Sequence, residues 1–179
     1  MNNILEQANK LYLEISAEIK AKYPALKHWD IKWNDRLRTV MGRANRREKG
    51  KPFIEMSSHL VKINVSIPNF LDKFKETVLH EWAHALDWEY DGHWGHGATW
   101  KRWMRTLGLP PERCYDSSIW LCQPKRTNFA IRNASSGRVV MYTDKLAPSL
   151  LIEAMSKTVE QGGSADDVEV ICLNTGQKK

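Results

Sequence analysis

HEWAHALDWEYDGHWGHGATW, residues 80–100, decides how the rest of the chain is read. Its 21 positions hold four of the six histidines, four of the eight tryptophans and an H-E-x-x-H. On an α-helix, residues four apart lie on nearly one face, one turn apart. His80 and His84 therefore project together and can converge on one ion. Glu81 stands about 100° round from His80, beside such an ion and within reach of a water bound to it. Two imidazoles plus a carboxylate in this spacing is the arrangement a metal-assisted hydrolase needs: ligands to hold the ion and a base for the water. Nitrogen donors favour one Zn²⁺, held by three protein ligands with a fourth position left for water. The competing reading, a helix with coincidental histidines, demands that the motif arise by chance on a helix that already has the right setting.

The third ligand has to come from elsewhere. A continuation H-x-x-G-x-x-H fails, because Asp87 and Tyr90 occupy the required positions. Glu112, the first acidic residue after this stretch, lies in a Pro-Pro loop, a poor place for a ligand. His93 and His96 remain. His96 sits between Gly95 and Gly97 at the mouth of the next helix, where glycine lets the backbone turn the ring back toward the first pair. His96 is the favoured ligand, with His93 left as a neighbour of the site or an exposed residue. His28 and His59 read as structural or surface histidines.

Outward from the motif, the segment from Pro68-Asn69 to about Tyr90 is apolar over much of its girth and predicts the buried central helix. ATWKRWMRTLG predicts a short helix ending at Gly108. Residues 3–22 carry apolar residues at helical spacing and stop before Pro24. WDIKWN, a stretch around residues 38–44, PFIEMS and HLVKINVS read as strands, the last because Val61, Ile63 and Val65 alternate with polar residues. IWLCQPK, TNFAIRN and RVVMYT read as further strands with ASSG as a hairpin turn, followed by a helix from Pro148 and a final strand VEVICL. The fold class is α+β: a domain over residues 1–116 with an N-terminal helix, a small antiparallel or mixed sheet, the H-E-x-x-H helix and a short helix, then a small β-rich α+β extension over residues 117–179.

At 179 residues the chain is long enough for one sizeable core. The net charge of +6 and a pI near 9.2 favour an acidic partner, of which nucleic acid is the commonest, against the plain alternative of a basic solvated surface. Seven of the positive charges fall between Arg36 and Lys51 (Arg36, Arg38, Arg43, Arg46, Arg47, Lys49 and Lys51), and Lys101, Arg102 and Arg105 make the short helix basic. These cations are the candidate DNA contacts, with Trp94 the tryptophan expected to be exposed at a cleft or groove. Trp82, Trp100 and Trp103 lie at helical positions that predict core. No apolar run reaches 18 residues, so no membrane span is expected. Three cysteines without a C-x-x-C, and no secretory signal pattern, lead to the expectation of reduced thiols and a cytoplasmic setting.

ETVLHEWAHALDW followed by GHGATWKRWMRTLGLPPERC resembles the SprT/Spartan-like zinc metalloproteases, whose pattern is H-E-x-x-H, a His-Gly pair a dozen or so residues on, an aromatic and a short helix. The upstream MGRA…FIEMSSHLV is similar to that family's sheet. The resemblance covers roughly residues 5–116. It implies a zincin-fold peptidase with one zinc on His80, His84 and His96 and with Glu81 as the catalytic base. It also implies a protein substrate, with relatives that cleave proteins crosslinked to DNA and are switched on by DNA, single-stranded or junction. The sequence departs from the family after residue 116. A zinc ribbon with paired cysteines is common there, whereas Cys114, Cys122 and Cys172 stand apart, so residues 117–179 read as a metal-free remnant of a ribbon. A donor for the developing oxyanion is expected among Tyr115, Tyr90, Arg43 and His93. Two other functions stay open: a zinc peptidase with no DNA role, and a non-catalytic nucleic-acid- or protein-binding module. The oligomeric state has no signature in the sequence.

Overall fold

The computed structural model describes residues 2–46, 50–65, 67–112, 121–123 and 127–174, with side chains from Ile4 onward. The architecture is mixed α and β, in two compact units that each draw on two stretches of chain: 1–59 with 71–115, and 60–70 with 116–179. Among the described residues, no helix is long and apolar enough to cross a membrane.

In the first unit, helix α1 (Asn2–Lys22) buries Ala8, Tyr12, Ile15 and Ile19, a stripe of one residue per turn, and gives way to a 3₁₀ turn at Pro24–His28. Strands β1 (Asp30–Trp33), β2 (Gly42–Asn45) and β3 (Phe53–Met56) form a sheet in the order β1-β3-β2, with β1 parallel and β2 antiparallel to β3. All four residues of β3 are buried, as expected of the central strand, and Tyr12 ties α1 to it by donating its hydroxyl to the Ile54 carbonyl at 2.8 Å. Helix α3 (Phe70–Leu86) buries Phe74, Val78 and Trp82 completely, four residues apart, and continues into a π-helical turn at Asp87–Asp91. Helix α4 (Ala98–Thr106) buries Trp100 and Met104 against Ala83 of α3, while Trp103 is half-buried.

In the second unit, β4 (Phe129–Asn133), β5 (Val139–Thr143) and β6 (Val168–Cys172) form an antiparallel sheet in the order β5-β4-β6, crossed by helix α5 (Pro148–Glu160). Cys122 and Cys172 are half-buried, and Cys114 lies outside the described residues.

Two local readings are corrected. HLVKINV is not a strand: residues Ser58–Asn64 form helix α2. Leu60, Val61, Ile63 and Asn64 are all buried, which is the i, i+1, i+3, i+4 pattern of a helix rather than alternation. The side-chain amide of Asn64 donates to the carbonyls of Leu60 and Leu121 and accepts the Leu121 N–H, so it pairs with Leu121 as a strand residue would. IWLCQPK gives no strand in its described part, Leu121–Gln123. The strand expected at 38–44 lies at Gly42–Asn45.

Candidate metal centre

Helix α3 presents His80 and His84 one turn apart, their ring centroids 5.1 Å from each other. The loop between the π turn and α4 then doubles back. Gly92 at φ 68° and Gly95 at φ 125° take the left-handed backbone conformations that side chains resist, and the reversal between them delivers His96. The His96 ring lies 5.3 Å from His80 and 4.6 Å from His84, and the nearest ligand nitrogens of the three residues all fall within 4.8 Å of one another. Trp100, wholly buried, is a shared platform, its ring 4.9, 5.4 and 4.6 Å from His80, His84 and His96. The loop is clasped at its base: Asp91 accepts two bonds from Arg102 at 2.7 Å and one from the Trp103 indole at 2.6 Å. The Arg102 guanidinium holds the Asp91 carboxyl below its ordinary value.

The donor set suits zinc. Tetrahedral ligands at about 2.0–2.1 Å from zinc stand roughly 3.3 Å apart. The Nε2 atoms of His80 and His96 are 3.3 Å apart. The imidazoles are also kept neutral, as ligation requires. Burial, then the charge of His96, pulls the pKa of His80 down to about 4. Burial, then His80 and His96, pulls His84 to about 3 against an opposing contribution from the Gly95 backbone.

Glu81 is displaced the other way. Its side chain is buried, which pushes its pKa up to about 7, although the N–H of Ala44 donates to its Oε2 at 2.6 Å and favours the ionised form. The two effects oppose each other in the stability of the metal-stripped protein. Between the ordinary carboxylate and imidazole values of 4.5 and 6.5, the unfolded chain is protonated on both histidines and the folded chain on Glu81 alone. The unfolded state therefore holds about one proton more, and stability is expected to fall on acidification by about 1.4 kcal/mol per pH unit from these groups. In Glu81→Gln the difference becomes about two protons and the slope doubles. Urea denaturation of both proteins from pH 6.5 to 4.5 checks this, and equal slopes would refute the assignment.

The remaining sequence candidates are distributed as follows. His93 is exposed and outside the histidine cluster. Trp94 is 38% exposed, with its ring 5.5 Å from His84. Arg46 places its guanidinium 4.4 Å from the Trp88 ring and 5.4 Å from Trp94, linking the end of β2 to the ligand loop. Arg43 is ion-paired with Glu55, Arg102 with Asp91, and Arg38 meets His59. Arg36, Lys51, Lys101 and Arg105 are exposed. Tyr90 packs against Tyr23 and Trp103. Tyr115, Arg47 and Lys49 lie outside the described residues. Sequence reading missed the Trp100 platform, although its position four residues after His96 at the start of α4 was a usable signal, and it missed the Ala44 backbone donor, which has none.

The chain is similar to germ cell nuclear acidic protein of Drosophila melanogaster, 33% identical over 75 residues, 42% of this chain and 7% of that one. It is 26% identical over 132 residues to the Homo sapiens germ cell nuclear acidic protein, 71% of this chain and 18% of the relative. To germ cell nuclear acidic-1 protein of Caenorhabditis elegans it is 33% identical over 116 residues, 58% of this chain and 20% of the relative. The chain thus spans a fifth or less of the length of these relatives. The sequence model of the SprT-like family matches residues 1–117. The chain belongs to the SprT-like family, a metalloprotease-type domain.

Proposed function

We propose that this protein is a zinc-dependent endopeptidase of zincin type, with His80, His84 and His96 as ligands, Glu81 as general base, and DNA-bound or DNA-crosslinked proteins as substrates. The observation that carries the reading is the convergence of three imidazoles beside a buried carboxylate at a sheet edge. When bound, zinc would polarise the scissile carbonyl and acidify the attacking water. Glu81 takes that water's proton and delivers it to the departing amine. The carboxylate is held through one oxygen by the Ala44 N–H, which leaves the other to exchange the proton. Trp100 fixes the ring planes of the three ligands, and the Asp91 clasp holds their loop closed. The oxyanion donor is assigned to the set Tyr115, Tyr90, Arg43 and His93, of which His93 is exposed, Tyr90 packs by its ring and Arg43 is ion-paired with Glu55.

DNA enters through the surface around the site. Trp94 and Trp88, with Arg46 over both rings, form a cation–aromatic face next to the metal ligands, of the kind on which unpaired bases stack. The exposed Arg36, Lys51, Lys101 and Arg105 supply phosphate contacts. Proteolysis of a DNA-binding protein with and without single-stranded DNA, comparing wild type with Glu81→Gln, tests the whole reading. Stimulation by DNA supports it. Cleavage unaffected by DNA leaves a plain zinc peptidase, and no cleavage by wild type leaves a binding module. For DNA binding itself, Trp94→Ala is expected to weaken affinity for single-stranded DNA by about 1–3 kcal/mol with the salt slope unchanged. Lys101→Ala is expected to lower the slope of log K against log salt by about 0.7. Fluorescence anisotropy from 50 to 200 mM salt separates the two.

A further inference from the structure

Strand β2 is an edge strand of its sheet. The Ser57 N–H donates to the Met41 carbonyl at 2.8 Å, and the antiparallel register continues Gly42 with Met56, Arg43 with Glu55 and Ala44 with Ile54. In such a ladder, residues alternate between bonding the partner strand and turning away from it. Residues 41, 43 and 45 bond β3, so the N–H and C=O groups of Gly42 and Ala44 face the open edge. An outward amide on an edge strand ordinarily goes to water or to an added strand. The Ala44 N–H goes to Glu81 Oε2 instead, at 2.6 Å.

Gly42 makes that approach feasible. A Cβ there would stand 2.6 Å from Met56 Sδ and 3.2 Å from Glu81 Cγ. Its φ is not in the left-handed region, so glycine is present for room rather than for backbone freedom. The stem of Glu81 runs close under Gly42, and its carboxylate ends on Ala44. We infer that Gly42 and Ala44 are positioning residues for Glu81: the backbone N–H of Ala44 fixes one carboxylate oxygen, and the missing side chain at 42 admits the stem, leaving Oε1 for proton transfer. This rests on the reading of Glu81 as the base. A donor carried on a strand cannot rotate away as a side chain can, so the carboxylate is aimed before substrate arrives.

Ala44→Pro removes this N–H without breaking the ladder, since the group faces outward. It is expected to lower kcat by about 10- to 100-fold with KM and zinc content unchanged. Ala44→Gly, which keeps the N–H, should stay within about twofold of wild type. In a Glu81→Gln background, Ala44→Pro should cost nothing further. Amide hydrogen exchange supplies a readout independent of activity and of the folding of Ala44→Pro. The Ala44 amide should be protected in wild type and exchange at least about tenfold faster in Glu81→Ala, with the β3 amides unchanged. Equal exchange in the two proteins, or wild-type kcat in a zinc-loaded Ala44→Pro, overturns the inference. Full activity in Glu81→Gln would instead remove the base assignment and leave the exchange result standing.

Discussion

Replacing Glu81 by Gln is expected to slow hydrolysis of a test protein by about 10³-fold while one zinc stays bound per chain. Gln preserves the length and the oxygen that accepts the Ala44 N–H, so the strand contact survives. It loses the ability to take and return a proton. The same change should stabilise the metal-stripped fold above pH 7. Burial raises the Glu81 pKa to about 7, so the ionised carboxylate burdens the native state as pH rises through that value. That cost accumulates between the ordinary value of 4.5 and about 7, so the gain at pH 8 is about 3 kcal/mol. Loss of activity together with a higher melting temperature marks a residue kept for chemistry against the interest of stability. A variant that is both inactive and less stable would point to a structural role. Rates by gel assay, zinc by elemental analysis and melting by calorimetry decide the matter.

Replacing His96 by Ala is expected to lower zinc affinity by more than about 100-fold, a larger loss than that of residues acting only on ligands from behind. His93→Ala should leave affinity within about twofold. The contrast follows from the loop. Gly92 before His93 and Gly95 after it reverse the chain, so the His96 ring returns to within 5.3 Å of His80 while His93 stays exposed. Competition titration with a chromophoric chelator measures both. If His93→Ala proves the damaging change, the ligand loop is arranged differently from the geometry described here.

The sequence made the helical pair, the carboxylate beside it and the glycine-flanked third histidine legible because each rests on a local rule: helical period for 80, 81 and 84, and backbone freedom for 96. It was less informative where two periods fit one short run. Val61, Ile63 and Val65 alternate, but Leu60, Val61, Ile63 and Asn64 also repeat as a helix, and burial on successive positions decided for the helix. Charge was legible as a total, but the partners of each cation within the fold were not. Arg43 and Arg102 sit in the basic segments, yet each is committed to a carboxylate within the fold, Glu55 and Asp91. Arg46 was visible as a cation but not as the partner of Trp88 and Trp94, because nothing in the sequence relates residue 46 to residues 88 and 94. The Ala44 donor is a main-chain group, identical at every residue but proline, and only the strand register singles it out.

The pair of hydrogen bonds between Asn64 and Leu121 bears on how this chain can be shortened. The amide of Asn64 is fully buried and spends its donors and acceptor on main-chain groups, one of its partners lying 57 residues downstream. A protein terminated near residue 116 would keep all three clustered histidines yet leave that amide without its Leu121 partner. Such a fragment should be recovered as aggregate, whereas a substitution that silences the tail without deleting it should remain well behaved. The segment after the family match is thus stitched into the middle of the chain, and dissecting its contribution calls for point changes rather than scissors.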